Sequence, residues 1–331
     1  MINPIYTSSL KNHLQNYVDL KRAMGYKFNN EASDLKRFDS FVVEQYSEVT
    51  DLTKEIILNW CGKKTYETEA TRYQRACIIR NFGIYLDSIG VKAYILPKKY
   101  YSEGNQYTPY IYTVSELAKF FAETDKDKGQ RSHQCPYRHQ IMPVIFRMIY
   151  MCGLRSSEAR LLKVADVDLE QGVLTINQSK NDTSRLVAMS DSLTERCRTF
   201  SKKVHFLSRE EDYYFPALGG KPMTEGILYP NFRKFLWNAG IAHRGKGRGP
   251  RIHDFRHTYA VHCLKKWAEQ EKDLTAYLPV LKTYMGHYSF EETAYYLRMT
   301  ADVFPHITLK LEAQYLNIIP QLEGEFNDET Y

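Results

Sequence analysis

Apolar side chains recur at helical spacing along most of the chain, and four such stripes fall within its first ninety residues. Leu10, Leu14, Tyr17, Val18 and Met24 form the first, with Ser8 or Ser9 placed to cap the helix and Gly25 to close it. Leu35, Phe38, Phe41 and Val42 form the second, and Ile56, Ile57 and Trp60, after Thr53, the third. Ala76, Ile79, Phe82, Leu86 and Ile89 form the fourth, which ends at Gly90. Four short amphipathic helices predict a small all-α bundle over residues 1–96. Between residues 97 and 112 the periodicity lapses amid Pro97, Lys98, Lys99, Gly104 and Pro109, so a linker is expected there.

Thr113 and Glu116 then form a capping box before Leu117, Phe120 and Phe121, opening a second domain expected to span residues 113–310. A helix over about residues 140–152 breaks at Gly153, and another begins with Arg155 and Glu158 one turn apart. Residues 173–176 and 186–189 read as two strands joined by a turn around Asn181 and Asp182, with Lys180 near the exposed tip. A helix starts near Ser190, and after Pro250 the rhythm of Phe255, Tyr259 and Leu264 predicts one more, whose first turn projects His253 and Arg256 from one face. The expected fold is therefore two-domain: an all-α bundle, then a mainly α domain with a small antiparallel β-sheet.

Composition narrows the partner. With 43% hydrophobic and 25% charged residues, the chain can bury two cores. Its formal charge is +6, but residues 311–331 hold five carboxylates and no Lys or Arg, which leaves +11 on residues 1–310. A basic body suits a polyanion. Lys36, Arg37, Arg72, Arg75 and Arg80 are expected on outer faces of the bundle, where they could meet DNA phosphates. Arg244, Lys246, Arg248 and Arg251 stand among three glycines in a loop that cannot build a core and suits nucleic-acid backbone. The opening residues lack a signal-peptide pattern, and no apolar run nears the roughly 20 residues needed to span a bilayer. Six scattered cysteines without a Cys-x-x-Cys pair read as reduced thiols, so a cytoplasmic protein is expected, nucleoid-associated when bound. His133, Cys135 and His139 offer three loosely spaced donors where structural zinc takes four, and no metal is expected.

The chemistry concentrates in the last third. A helix start bearing an arginine and an imidazole is a phosphate-binding surface, because free N–H groups, the helix dipole and a planar guanidinium all favour an anion. Gly286 permits a tight turn that presents His287, and the helix beyond carries Tyr295 and Tyr296. In this order the motifs Gly153-Leu154-Arg155-Ser156-Ser157-Glu158, Lys180 followed by Arg185-Leu186-Val187, His253-Asp254-Phe255-Arg256-His257-Thr258, Gly286-His287 and Thr293-Ala294-Tyr295-Tyr296 resemble the tyrosine recombinase (phage integrase) family over nearly the whole chain. The departures are Ala188 where proline is common, Met285 where leucine usually precedes the glycine, and Leu297 where a polar residue often follows the nucleophile.

The resemblance implies a helical core-binding domain and a catalytic domain embracing duplex DNA in a C-shaped clamp. It implies Tyr296 as nucleophile, with Tyr295 turned into packing. Arg155 and Arg256 would clamp the phosphate, His253 would accept or position the tyrosine proton, His287 would add a hydrogen bond, Lys180 would protonate the departing 5′ oxygen, and Glu158 would orient Arg155. No cofactor is implied, since the arginines supply the charge that other enzymes draw from metal ions. Strand exchange would proceed through a 3′-phosphotyrosine in a synaptic homotetramer assembled on paired DNA sites from free monomers, with an accessory DNA-bending or directionality factor as a further partner. The apolar residues Val303, Phe304, Ile307, Leu311, Leu316, Ile318 and Ile319 lead into the acidic tail, residues 311–331, expected to dock on a neighbouring protomer. A type IB topoisomerase, or a DNA-binding protein without catalysis, would use the same scaffold.

Overall fold

Each of the four apolar stripes near the N-terminus becomes a helix in the computed structural model: α1 (Lys11–Ala23), α2 (Asn29–Gln45), α3 (Lys54–Trp60) and α4 (Glu69–Ser88). The structure describes residues 4–46, 49–104, 107–127, 134–177, 184–243, 249–287 and 289–304. The chain divides into two compact units, Met1–Tyr107 and Thr108–Tyr331. In the first, Leu14, Val18, Leu35, Phe38, Ile57 and Phe82 are wholly buried in one core. Thr53 and Thr68 cap α3 and α4 by accepting from Ile56 N and Thr71 N.

Two expectations for this unit are corrected. Neither Ser8 nor Ser9 is the N-cap of α1; Leu10 holds that position without a side-chain bond. Asp39 explains the arrangement. It lies one helical turn after Leu35, on the apolar stripe of α2, and is fully buried. Its carboxylate accepts from Thr7 N at 2.8 Å and Ser8 N at 2.9 Å, tying the N-terminal segment across α2. Arg75, expected on a DNA-facing surface, points inward. Its guanidinium donates to Gly62 O at 3.0 Å, to Trp60 O and to both carboxylate oxygens of Glu67.

The second unit opens with α5 (Val114–Lys126) behind the Thr113/Glu116 capping box, followed by α6 (Arg138–Met151) and α7 (Ser156–Leu161). Strands β1 (Val167–Asp168), β2 (Val173–Ile176) and β3 (Arg185–Ala188) form an antiparallel sheet in that order, with Val173 opposite Ala188 and Ile176 opposite Arg185. The third strand begins one residue earlier than its alternation suggested, which brings Arg185 into the sheet. Helices α8 (Asp191–Val204), α9 (Glu225–Asn238), α10 (Asp254–Glu269), α11 (Leu274–Met285) and α12 (Phe290–Val303) complete the unit. Among the described residues no helix is long and apolar enough to cross a membrane.

Helix α10 joins two cores. Phe255 enters an aromatic cluster with Phe120, Phe146 and Phe232, whose ring centroids lie 5.1–6.2 Å from its own. One turn on, Ala260, Val261 and Leu264 enter a second core with Leu278, Leu281, Met285 and Tyr296. The segment read as a linker packs at both ends. In the first unit Tyr101 lies under the Arg72 guanidinium, 4.0 Å from it, and in the second Tyr112 is fully buried and stacked on Phe255 at 4.8 Å. Its tyrosines, absent from a Gly/Ser-type spacer, account for this.

Breaking a buried, hydrogen-bonded ion pair costs about 3–5 kcal/mol. Arg75→Leu is therefore expected to lower the unfolding free energy by that amount in urea titrations of the full chain, whereas Arg37→Ala, at an exposed position, changes it by less than about 0.5 kcal/mol.

Candidate active site

Two glycine turns and the start of α10 converge to form the site. Gly153, at φ +59°, follows α6, and a Cβ there would come within 2.6 Å of the Tyr259 ring. Gly286, at φ +64°, ends α11, and a Cβ there would come within 2.8 Å of the Arg185 guanidinium. Between these turns Arg256 is only 1% exposed. It donates to Gly153 O at 2.7 Å and to Met285 O at 2.6 Å, so one side chain holds both turns in place.

Glu158 gathers two more arginines. Its carboxylate accepts from Arg155 Nη1 at 2.8 Å, from the Arg155 backbone N–H at 2.9 Å, and from Arg185 through two parallel bonds of 3.0 and 2.8 Å. Arg155 also reaches Gly286 O at 3.3 Å, and Arg185 Nε reaches Tyr284 O at 2.8 Å. Burial alone would raise the Glu158 pKa, but the Arg185 bonds, the Arg155 N–H and the Arg256 charge overcome it and hold the carboxyl down at about 2. Three guanidiniums around one carboxylate leave positive charge uncompensated at the floor of the pocket. Arg185 is the residue the sequence reading passed over; its place as the first residue of β3, just past the hairpin turn, was the available signal.

The pocket, about 320 Å³, is lined by Arg155, His253, Arg256, His257, His287, Glu292, Tyr295 and Tyr296. Tyr296 is 3% exposed, and its ring stacks on His287 with centroids 5.7 Å apart and planes 14° from parallel. Its hydroxyl lies 2.9 Å from Nδ1 of His257, a second residue that the sequence reading left without a role. The Tyr296 pKa is pushed up to about 12 by burial, with the Arg256 charge pulling against it. Tyr295 was expected to turn into packing, yet it is 43% exposed and sits at the pocket rim. The inner position belongs to Tyr296 because that side of α12 faces α10 and the second core.

The histidines are kept neutral. His253 stands at the N-cap of α10, open to solvent at its outer edge, and desolvation along its inner side together with Arg256, Arg155 and Arg251 holds its pKa down at about 4. His287 is lowered to about 3 by desolvation and then by the Arg256, Arg155 and Arg185 charges. Thr293, fully buried on α12, bonds His287 Nδ1 at 2.8 Å and fixes which ring nitrogen is available to the pocket. In this pattern the threonine three residues before Tyr296 serves the histidine.

Lys180 lies outside the described residues, as do Arg244, Lys246 and Arg248. Arg251 is exposed near the pocket, its backbone N–H donating to Asp254 at 2.7 Å. In the first unit Arg37 is exposed beside Asp34, Lys36 is bonded to the buried Asp39 at 3.0 Å, and Arg72 donates to Cys61 O at 2.9 Å. Arg80 lies in a hollow with Tyr73, Leu96 and Tyr101. Of His133, Cys135 and His139, the first is outside the described residues and the second is buried, its Sγ 3.9 Å from Pro216 O.

Because Glu158 titrates at about 2 in the fold against an ordinary 4.5, its contribution is complete above about pH 4.5 and is lost as pH falls toward 2. A melting-temperature series from pH 7 to 3 is expected to fall across that window for the wild type. Glu158→Gln, starting lower, should fall less, the difference being worth up to about 3 kcal/mol.

A sequence model of the phage integrase family matches residues 113–302. The chain is 27% identical to the "Putative integrase/recombinase y4rB" of Sinorhizobium fredii, over 93% of this chain and 98% of that protein. It is 24% identical to the tyrosine recombinase XerC of Staphylococcus saprophyticus, over 88% and 90% of the two chains. The fold is similar to that of the XerH site-specific recombinase bound to palindromic difH substrate, with a TM-score of 0.62 and 19% identity over 96% of this chain and 91% of that one. It is also similar to a lambda integrase dimer bound to a core site, with a TM-score of 0.60 and 14% identity over 86% and 94% of the chains. The chain therefore belongs to the phage integrase family, the tyrosine recombinases that cleave and rejoin DNA by transesterification.

Proposed function

We propose that this enzyme exchanges strands between paired DNA sites through a 3′-phosphotyrosine on Tyr296. The observation that carries the reading is the Tyr296 hydroxyl in a pocket with Arg155 and Arg256, 2.9 Å from a neutral imidazole. A phosphodiester entering this pocket would meet guanidinium donors already fixed by Glu158 and by two backbone carbonyls. Such donors need no reorganisation as negative charge builds on the phosphoryl oxygens, which is the main source of rate in reactions of this type. His287, oriented by Thr293, would add a donor to the phosphate, and His253 would close the wall of the pocket beside Arg251. Lys180 would protonate the 5′ oxygen as it leaves. The ester on Tyr296 conserves the energy of the broken bond, so religation needs no ATP.

In this reading the N-terminal unit is the core-binding domain and, like the catalytic unit, meets the duplex. Arg37, Arg72 and Arg80 are its candidates for phosphate contact; Arg75 is not, since it is spent inside the unit. Similarity to recombinases whose structures hold their DNA sites supports duplex DNA as the partner. A synaptic tetramer would form when each acidic tail docks on the next protomer, a heterologous contact that closes into a ring.

Three outcomes are expected. On suicide duplexes tiled across the sequence flanking the gene, wild type and Tyr295→Phe form a denaturation-resistant adduct without metal or ATP, and Tyr296→Phe forms none. A substrate with two sites yields recombinant joints, and truncation after about Pro305 abolishes them while adduct formation persists. Relaxation of supercoils without joints would contradict strand exchange, and no wild-type adduct on any flanking duplex would contradict the enzyme reading. DNA affinity falls steeply with salt, log K against log salt having a slope of about −0.9 per phosphate neutralised.

A further inference from the structure

The hydroxyl of a buried tyrosine must lose its proton as it attacks phosphorus, and the fold places one particular base against it. His257 Nδ1 is 2.9 Å from Tyr296 Oη. The ring is held on α10, one residue beyond the doubly anchored Arg256. His253 packs edge-on against His257, with ring centroids 4.7 Å apart and planes at 86°, and His257 is the imidazole whose nitrogen meets the tyrosine hydroxyl. His287 has its Nδ1 bonded to Thr293, and its ring lies nearly parallel to the tyrosine ring with centroids 5.7 Å apart. Arg256 and Arg155 can only donate.

We propose that His257, and not His253, takes the proton from Tyr296 during DNA cleavage. The proposal rests on the reading of Tyr296 as the nucleophile. As the Oη–P bond forms, the phenol proton passes to Nδ1 of the neutral, Nε2-protonated His257. The P–O5′ bond breaks with its electron pair leaving on the 5′ oxygen, which gains a proton from a separate acid. On religation the 5′ hydroxyl loses its proton to that group, the P–Oη bond breaks, and His257 returns its proton to the tyrosine oxygen. Burial first, and then His253, Arg256 and His287 around the ring, depress its basicity in the free enzyme. A bound phosphodiester brings negative charge that offsets the neighbouring positive charge, so the base strengthens with DNA in place.

The test uses the full-length protein and single-turnover adduct formation on a suicide duplex that the wild type cleaves. His257→Gln and His257→Asn are compared with the wild type, each with tyrosine or with a fluorinated, more acidic tyrosine at position 296. DNA binding and melting temperature are measured alongside. His257→Asn keeps a hydrogen-bonding atom near the place of Nδ1 but has no basicity. Both variants are expected to bind DNA as the wild type does and to form adduct about 10²–10⁴-fold more slowly, the range for general-base help. With fluorinated tyrosine the defect should contract to less than tenfold. A His257→Asn rate within threefold of wild type would overturn the proposal, as would a defect of the same size with both tyrosines, since either assigns the ring to positioning alone. Tyr296→Phe separates the two levels: an adduct in that variant overturns the nucleophile reading and this proposal together. No adduct there, with His257→Asn as fast as the wild type, overturns this proposal alone.

Discussion

One buried guanidinium holds the catalytic unit's site together. Arg256 spends two donors on the carbonyls of Gly153 and Met285, the last turns of α6 and α11. Those turns carry what the chemistry uses: Arg155 follows the first, and His287 follows the second. Because both glycines sit at positive φ with no room for a Cβ, the turns can approach closely enough for a single side chain to span them. Burying a charge so deeply is costly unless it is well bonded, and carbonyl dipoles together with the Glu158 carboxylate meet that cost.

The same arrangement explains why the groups around Tyr296 are poised and not self-neutralised. Arg185 bonds both oxygens of Glu158, so the carboxylate is shared between Arg185 and Arg155 and acts on Arg256 only through space. Burial first, and then the remaining positive charge, keeps the histidines neutral. The tyrosine pays with a pKa of about 12 for its buried position. A phosphodiester supplies the missing anion. Its arrival would relieve the arginines, raise the basicity of the imidazoles and favour the phenolate, so substrate binding and activation of the nucleophile draw on one electrostatic imbalance.

Much of this was legible in the chain. The helical stripes located α1 to α4, the capping box at Thr113 marked the start of α5, and the ordered motifs named Arg155, Glu158, His253, Arg256, His287 and Tyr296, all now found around one pocket or directly beneath it. What escaped was set by register and by tertiary approach. Arg75 lies four residues before Ile79 and seven before Phe82, on the buried stripe of α4, yet its charge suggested a surface. Arg185 and His257 stood inside quoted motifs, but their contacts, with Glu158 from α7 and Tyr296 from α12, join elements distant in sequence. The motif singled out Tyr296 and sent Tyr295 into packing, yet the packing of α12 against α10 buries Tyr296 and leaves Tyr295 43% exposed.

The account stands most directly on the identity of the attacking residue. Wild-type adduct trapped on a suicide duplex, digested with protease and nuclease and read by mass spectrometry, should carry a nucleotide remnant on the peptide containing Tyr295 and Tyr296, with fragmentation placing it on Tyr296 through a 3′ phosphate. A remnant on Tyr295, on a residue elsewhere, or through a 5′ phosphate would contradict the geometry described for this pocket.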